Sequence, residues 1–145
     1  MADLAEEGFL NEDSLTQSWE KRRFILLEGR LRCKHGLFIG ILKYLEVRAT
    51  PSQILVRTDR YRYHAGVEGP ANRPIFRYDN SDTKTGHADA HHKHRFDPTT
   101  WQEIKPPLWI GEDGWPHLSD VVEELRDWWE TVGIHLGIEA SPPDR

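Results

Sequence analysis

The sequence predicts an α+β domain, an antiparallel β-sheet of about four to five strands with a C-terminal helix packed on one face. Three observations carry that expectation. Apolar and polar residues alternate in several runs between residues 22 and 79, the period of a strand buried on one side. Apolar residues then recur at helical spacing from Leu118 to Val132. The chain has 145 residues, 37% hydrophobic and 30% charged, which suits one modest core rather than a disordered chain.

Residues 1–20 hold six acids and no Lys or Arg. They read as an acidic arm, loose or with one short helix near Ser14 to Trp19. In residues 22–33, Ile25, Leu27, Leu31 and Cys33 share one face, and Glu28, Arg30 and Arg32 the other. Lys34-His35-Gly36 is a turn, and residues 37–47 alternate again through Leu37, Ile39, Ile41, Leu45 and Val47, completing a hairpin. Thr50-Pro51-Ser52 breaks the chain before a third strand at 54–65, rich in β-branched and aromatic residues. Thr58, Arg60, Arg62 and His64 form a polar row on it, with Tyr61 and Tyr63 opposite. Gly66, Gly69, Pro70 and Asn72 turn the chain into a fourth strand at 74–79, which should pair with the third.

A polar loop at 81–91 leads to a short strand at 92–96. Trp101 to Trp115 reads as irregular, punctuated by Pro106-Pro107, Gly111 and Gly114. In the helix, Leu118, Val121, Val122, Leu125, Trp128, Trp129 and Val132 form the apolar stripe, with Asp120, Glu123, Glu124 and Glu130 away from it. Pro116 precedes it, Ser119 is the candidate cap, and Gly133 stops it. This helix should cover the sheet face bearing Ile25, Leu27, Ile39 and Ile41. The domain reading is an N-terminal arm at 1–20, one α+β domain at 21–135 and a flexible tail at 136–145.

A single cysteine, Cys33, forbids a disulfide within the chain and fits a reducing compartment. It falls on an apolar strand face, so it reads as core rather than nucleophile. The opening MADLAEEGFL is acidic where a signal peptide needs a basic region, and the longest apolar stretch, 36–42, is too short to cross a bilayer. A cytoplasmic protein with no membrane contact is expected. There is no P-loop, dinucleotide fingerprint, G-x-S-x-G or CxxC. The net charge of −5 is uneven: −6 over residues 1–20 and −7 over 112–145 leave the middle at +8. A basic centre suits a polyanion such as RNA or DNA, unless the acidic ends fold back over it.

Chemistry concentrates where the histidines do. Five of the eight lie between His64 and His94, four of them in His87, His91, His92 and His94. If residues 92–96 are extended, His92 and His94 point to one side, and His91, Lys93 and Arg95 to the other. One use is metal-free RNA cleavage, with one histidine as base and another as acid, and with cations neutralising the phosphate. His64, His92 and His94 are the acid–base candidates. Arg60, Arg62, Arg77, Lys93 and Arg95 are the cations, and Tyr61 and Tyr63 could stack on unpaired bases. The other use is metal binding. No resident cofactor is expected, but His92 and His94 with His87, Asp89 or Asp79 offer ligands for a divalent ion. Against both stand plainer readings: a solvated His-rich loop, a solvated arginine row, and Arg77-Tyr78-Asp79-Asn80 as a strand ending in an Asx turn. Trp128-Trp129 reads as core, though one of them exposed would mark a partner site.

A Tyr-Arg-Tyr strand, a glycine-bearing turn, Arg77-Tyr78-Asp79-Asn80 and a Gly86-led loop running into closely spaced histidines resemble the TumE family. The resemblance covers roughly residues 22–100, with its core at 61–97. It implies the toxin of a prokaryotic type II toxin–antitoxin module, partnered by a cognate antitoxin that binds DNA through a helix-turn-helix. Ribonuclease activity is an inference from the His and Arg residues and not from the family. In the resulting scheme His64, His92 and His94 exchange protons, Asp79 orients a histidine, Arg77 and Arg95 hold phosphate, and Asn80 holds the loop. The alternative is a non-enzymatic nucleic-acid- or protein-binding module whose His cluster is structural or metal-bound. A homodimer is compatible with either.

Overall fold

The alternating runs become a continuous antiparallel meander. The computed structural model describes residues 10–13, 16–20, 24–80 and 91–138. Its strands are β1 (Leu10–Asp13), β2 (Thr16–Glu20), β3 (Phe24–Cys33), β4 (Leu37–Ala49), β5 (Ile54–Val67), β6 (Arg73–Asp79), β7 (His92–Phe96) and β8 (Glu103–Trp109). From β3 to β8 each strand pairs with the next, and β1 and β2 lie end to end along the outer edge of β3. The helix α1 (Leu118–Thr131) follows.

The two expected hairpins form, with Leu31 opposite Ile39 and Tyr63 opposite Tyr78. The sheet nonetheless has eight strands among the described residues rather than four to five. Two segments account for the difference. The N-terminal stretch weighed as an arm or short helix supplies β1 and β2, because β3 offers it an unpaired edge. The stretch read as irregular because of Pro106-Pro107 supplies β8. Proline cannot donate to a ladder, but β8 is the last strand, and its register with β7 shifts between Lys93 and Arg95 so that the prolines fall outside the pairing.

One sheet face is the core. Leu31, Leu37, Ile39, Tyr61, Tyr63 and Ala65 are buried with Val121, Val122 and Leu125 of α1. Trp128 and Trp129 pack against this cluster half-buried, as the helical stripe predicts. Ile39 and Ile41 lie in it, whereas Ile25 and Leu27 are only half-buried. A helix of 14 residues is about 21 Å long, too short to follow β3 to its start. Tyr61 and Tyr63, expected to stack on bases, are 0% and 1% exposed and belong to this core. Cys33 is buried there too, and burial pushes its thiol up to about 12, so it is inert.

The helix begins one residue before the predicted cap. The His117 N–H donates to the Asp120 carboxylate at 2.9 Å, while Ser119 sits inside the first turn. Glu124 ties α1 to the sheet, accepting from the Tyr78 hydroxyl at 2.6 Å and from Lys93 Nζ. Among the described residues no helix is long and apolar enough to cross a membrane.

Candidate functional site

The opposite sheet face carries the chemistry. Strand register aligns Arg30, Gly40, His64, Arg77 and His94 in one row across β3 to β7. The next row aligns Glu28, Leu42, Arg62, Asp79, His92 and Trp109 from β3 to β8. A cleft of about 500 Å³ opens over the β3–β6 part of these rows, lined by Arg30, Phe38, Gly40, Arg62, His64 and Arg77 among others. The alternation that buries Tyr61 and Tyr63 under the helix therefore presents Arg62 and His64 to the open side.

Asp79 is the hub of the β6–β7 end. It is 3% exposed. Its Oδ1 lies 2.7 Å from His92 Nε2, and its Oδ2 lies 3.2 Å from Arg77 Nε and 3.5 Å from His94 Nε2. His94 Nδ1 in turn lies 2.9 Å from Glu103 Oε2 of β8. Both ring nitrogens of His94 thus face a carboxylate, so a doubly protonated ring can donate to both. His92 packs its ring against Trp109 at 5.1 Å and against His94 at 4.7 Å. It is 4% exposed.

His64 has the opposite surroundings. Burial first, then Arg77, Arg62 and Arg30, push it down to about 4, so the ring is neutral at pH 7. Among the described residues its ring makes no hydrogen bond, leaving a nitrogen lone pair available.

Asn80, expected to hold the loop at 81–90, which lies outside the described residues, binds β5 at the end of β6. Its side-chain oxygen accepts from the Tyr61 N–H at 3.0 Å, and its amide donates to the Asp59 carbonyl at 3.2 Å. The side chain thus extends the β5 pairing by one step where β6 stops. Arg60 is exposed outside the cleft on the same strand as Arg62.

Two predicted phosphate-binding cations lie elsewhere. Lys93 faces the helix, paired with Glu124 and set over the Phe76 and Tyr78 rings at 5.4 Å and 5.1 Å. Arg95 pairs in register with core residue Phe76, and among the described residues its buried Nε has no hydrogen-bond partner. The odd positions of β7 point to the helix side, so neither can share a phosphate with Arg77. Of the metal set, His87 and Asp89 lie outside the described residues. Asp79, His92 and His94 bring donor atoms within 4.8 Å of one another, a set able to hold a metal ion.

Arg30, Gly40 and Glu103 were not singled out from sequence. Arg30 is far from the motif along the chain and Glu103 lies just beyond it on the next strand, and strand pairing brings each to the site. Arg30 is held by Glu68 at 3.0 Å and sits 4.0 Å over the Phe38 ring.

No curated protein and no solved structure matches the chain. A family model described as toxin TumE matches residues 9–133. Every strand of the meander and the whole of α1 fall within that match, and so the chain belongs to the TumE family of toxins.

Proposed function

We propose that this toxin acts by cleaving RNA on the open face of its sheet. The carrying observation is the row that sets His64 and His94 on either side of Arg77. Neighbouring strands are about 4.8 Å apart, so the two histidines are on the order of 10 Å apart at the backbone with a guanidinium between them. Neutral His64 takes the proton of a ribose 2′-hydroxyl, and the 2′-oxygen attacks phosphorus. The bond from phosphorus to the 5′-oxygen breaks, and His94 gives that oxygen its Nε2 proton, leaving the long 3.5 Å approach to Asp79 while Nδ1 stays on Glu103. The products are a 2′,3′-cyclic phosphate and a free 5′-hydroxyl, and solvent resets both histidines. Arg77 and Arg62 stabilise the charge on the phosphoryl oxygens. Asp79 and Glu103 hold His94, and His92 fixes Asp79.

The partner in this reading is a co-encoded antitoxin of a type II module, binding DNA through a helix-turn-helix, and the toxin works in the cytoplasm. The test is purified protein on a labelled RNA oligonucleotide. Cyclic-phosphate ends that disappear in His64→Ala and His94→Ala, and at a 2′-deoxy position, are expected. Undiminished cleavage by either variant, or of the deoxy substrate, removes the scheme.

A second reading has one observation behind it, the three donor atoms of Asp79, His92 and His94 within 4.8 Å. In it a divalent ion braces the His cluster of a non-enzymatic nucleic-acid-binding module. The Arg77 guanidinium on the same Asp79 carboxylate opposes a cation there. A chelator that lowers the melting temperature, in a protein that leaves RNA intact, would favour this second reading.

A further inference from the structure

Gly40 sits in mid-strand where nothing local demands a glycine. Its register is regular, opposite Arg30 on one side and His64 on the other. A Cβ built there would meet only the His64 carbonyl oxygen at 3.7 Å and the His64 Cβ at 4.0 Å, ordinary contacts. Glycine inside a strand weakens it, and its use without a bulge marks a place where something approaches the backbone closely. What lies over Gly40 is the cleft of about 500 Å³, within the size range of small-ligand pockets. Phe38 and Leu42 flank Gly40 on β4, and Arg30 and Arg62 line the same space.

We infer that the cleft over Gly40 is a nucleobase subsite, taking the base of the nucleotide whose 2′-hydroxyl faces His64. The row then reads as a nucleotide does: base over Gly40, ribose at His64, phosphodiester at Arg77, leaving oxygen at His94. Each step is one strand, about 4.8 Å, on the scale that separates base, ribose and phosphodiester. A base can enter an open cleft on a sheet only when it is unstacked, so the substrate class is unpaired RNA. The Arg30 guanidinium, seated 4.0 Å over the Phe38 ring, offers a plane on which any base can stack. The direction of the RNA along the row rests on the cleavage reading, whereas the occupant of the cleft does not.

The test compares binding of the four nucleoside 3′-monophosphates with binding of glycerol phosphate, which has the phosphate and no base. The wild-type protein should bind at least one nucleotide tenfold or more tighter than glycerol phosphate. In Gly40→Leu, whose side chain fills the cleft, that ratio should collapse to within twofold. Equal binding of nucleotides and glycerol phosphate by the wild type overturns the subsite, and needs no variant to fold. A preference surviving in Gly40→Leu also overturns it. Base preference without RNA cleavage would keep the subsite and remove the ribonuclease reading, and cleavage without base preference would do the reverse.

Discussion

Asp79 engages three side chains at once, and each would lose its place without the carboxylate. Asp79→Asn keeps the shape and removes the charge. Cleavage should fall by about 10²-fold or more, the usual worth of the general acid that Asp79 orients, measured as single-turnover rate on an RNA oligonucleotide. His64 supplies a prediction on stability. Its folded value of about 4 lies below the ordinary histidine value of 6.5. Above pH 6.5 both states hold it neutral and its contribution is fully present. As pH falls from 6.5 toward 4 the unfolded state alone takes the proton, so stability is lost. Urea unfolding at pH 7 and pH 5 should show a smaller loss in His64→Gln than in the wild type. These residues differ in how they announce themselves. His92 and His94 stand close together in the chain, so their grouping was legible, while Asp79 joins them through the pairing of β6 with β7. Arg30, Gly40 and Glu103 reach the site through pairing across β3, β4 and β8, which no local pattern records.

At the scale of elements, the hairpins and α1 follow from periodicity, because burial on one face imposes the same pattern everywhere. Strand β8 broke that rule through Pro106 and Pro107, which an edge strand tolerates. The end of α1 is set by packing as much as by propensity. A Cβ on Gly133 would lie 2.6 Å from the rings of both Trp128 and Trp129. These rings are rigid and already packed on the core. Gly133→Ala should therefore cost about 1–3 kcal/mol in chemical denaturation, the cost of overpacking rather than of helix propensity. An unchanged unfolding midpoint would mean that the tryptophans move freely aside.

Across the whole molecule the sheet separates two tasks. The helix side holds Leu125, Tyr61 and Tyr63, and the open side holds His64, Arg77 and His94. Leu125→Ala should cost about 2–5 kcal/mol by thermal or urea unfolding. At a temperature where the variant is folded, its RNA cleavage rate should match the wild type. A fall in both together would show that the helix side bears on the site directly. The same division explains Lys93 and Arg95, whose charge looked like part of a basic track in the chain and lies on the helix side in space.

The sequence alone determined the alternation of the strands, the amphipathic helix, the burial of Cys33 and the close spacing of His91, His92 and His94. Each of these is a local pattern, fixed by residues within a few positions of one another. Only the tertiary structure decided which faces of β5 and β7 turned to the helix and which distant residues share a row. Side chains alternate with period two, so the pattern of one strand leaves its partner's register open, and it is register that sets Arg30, Gly40 and His64 beside Arg77 and His94.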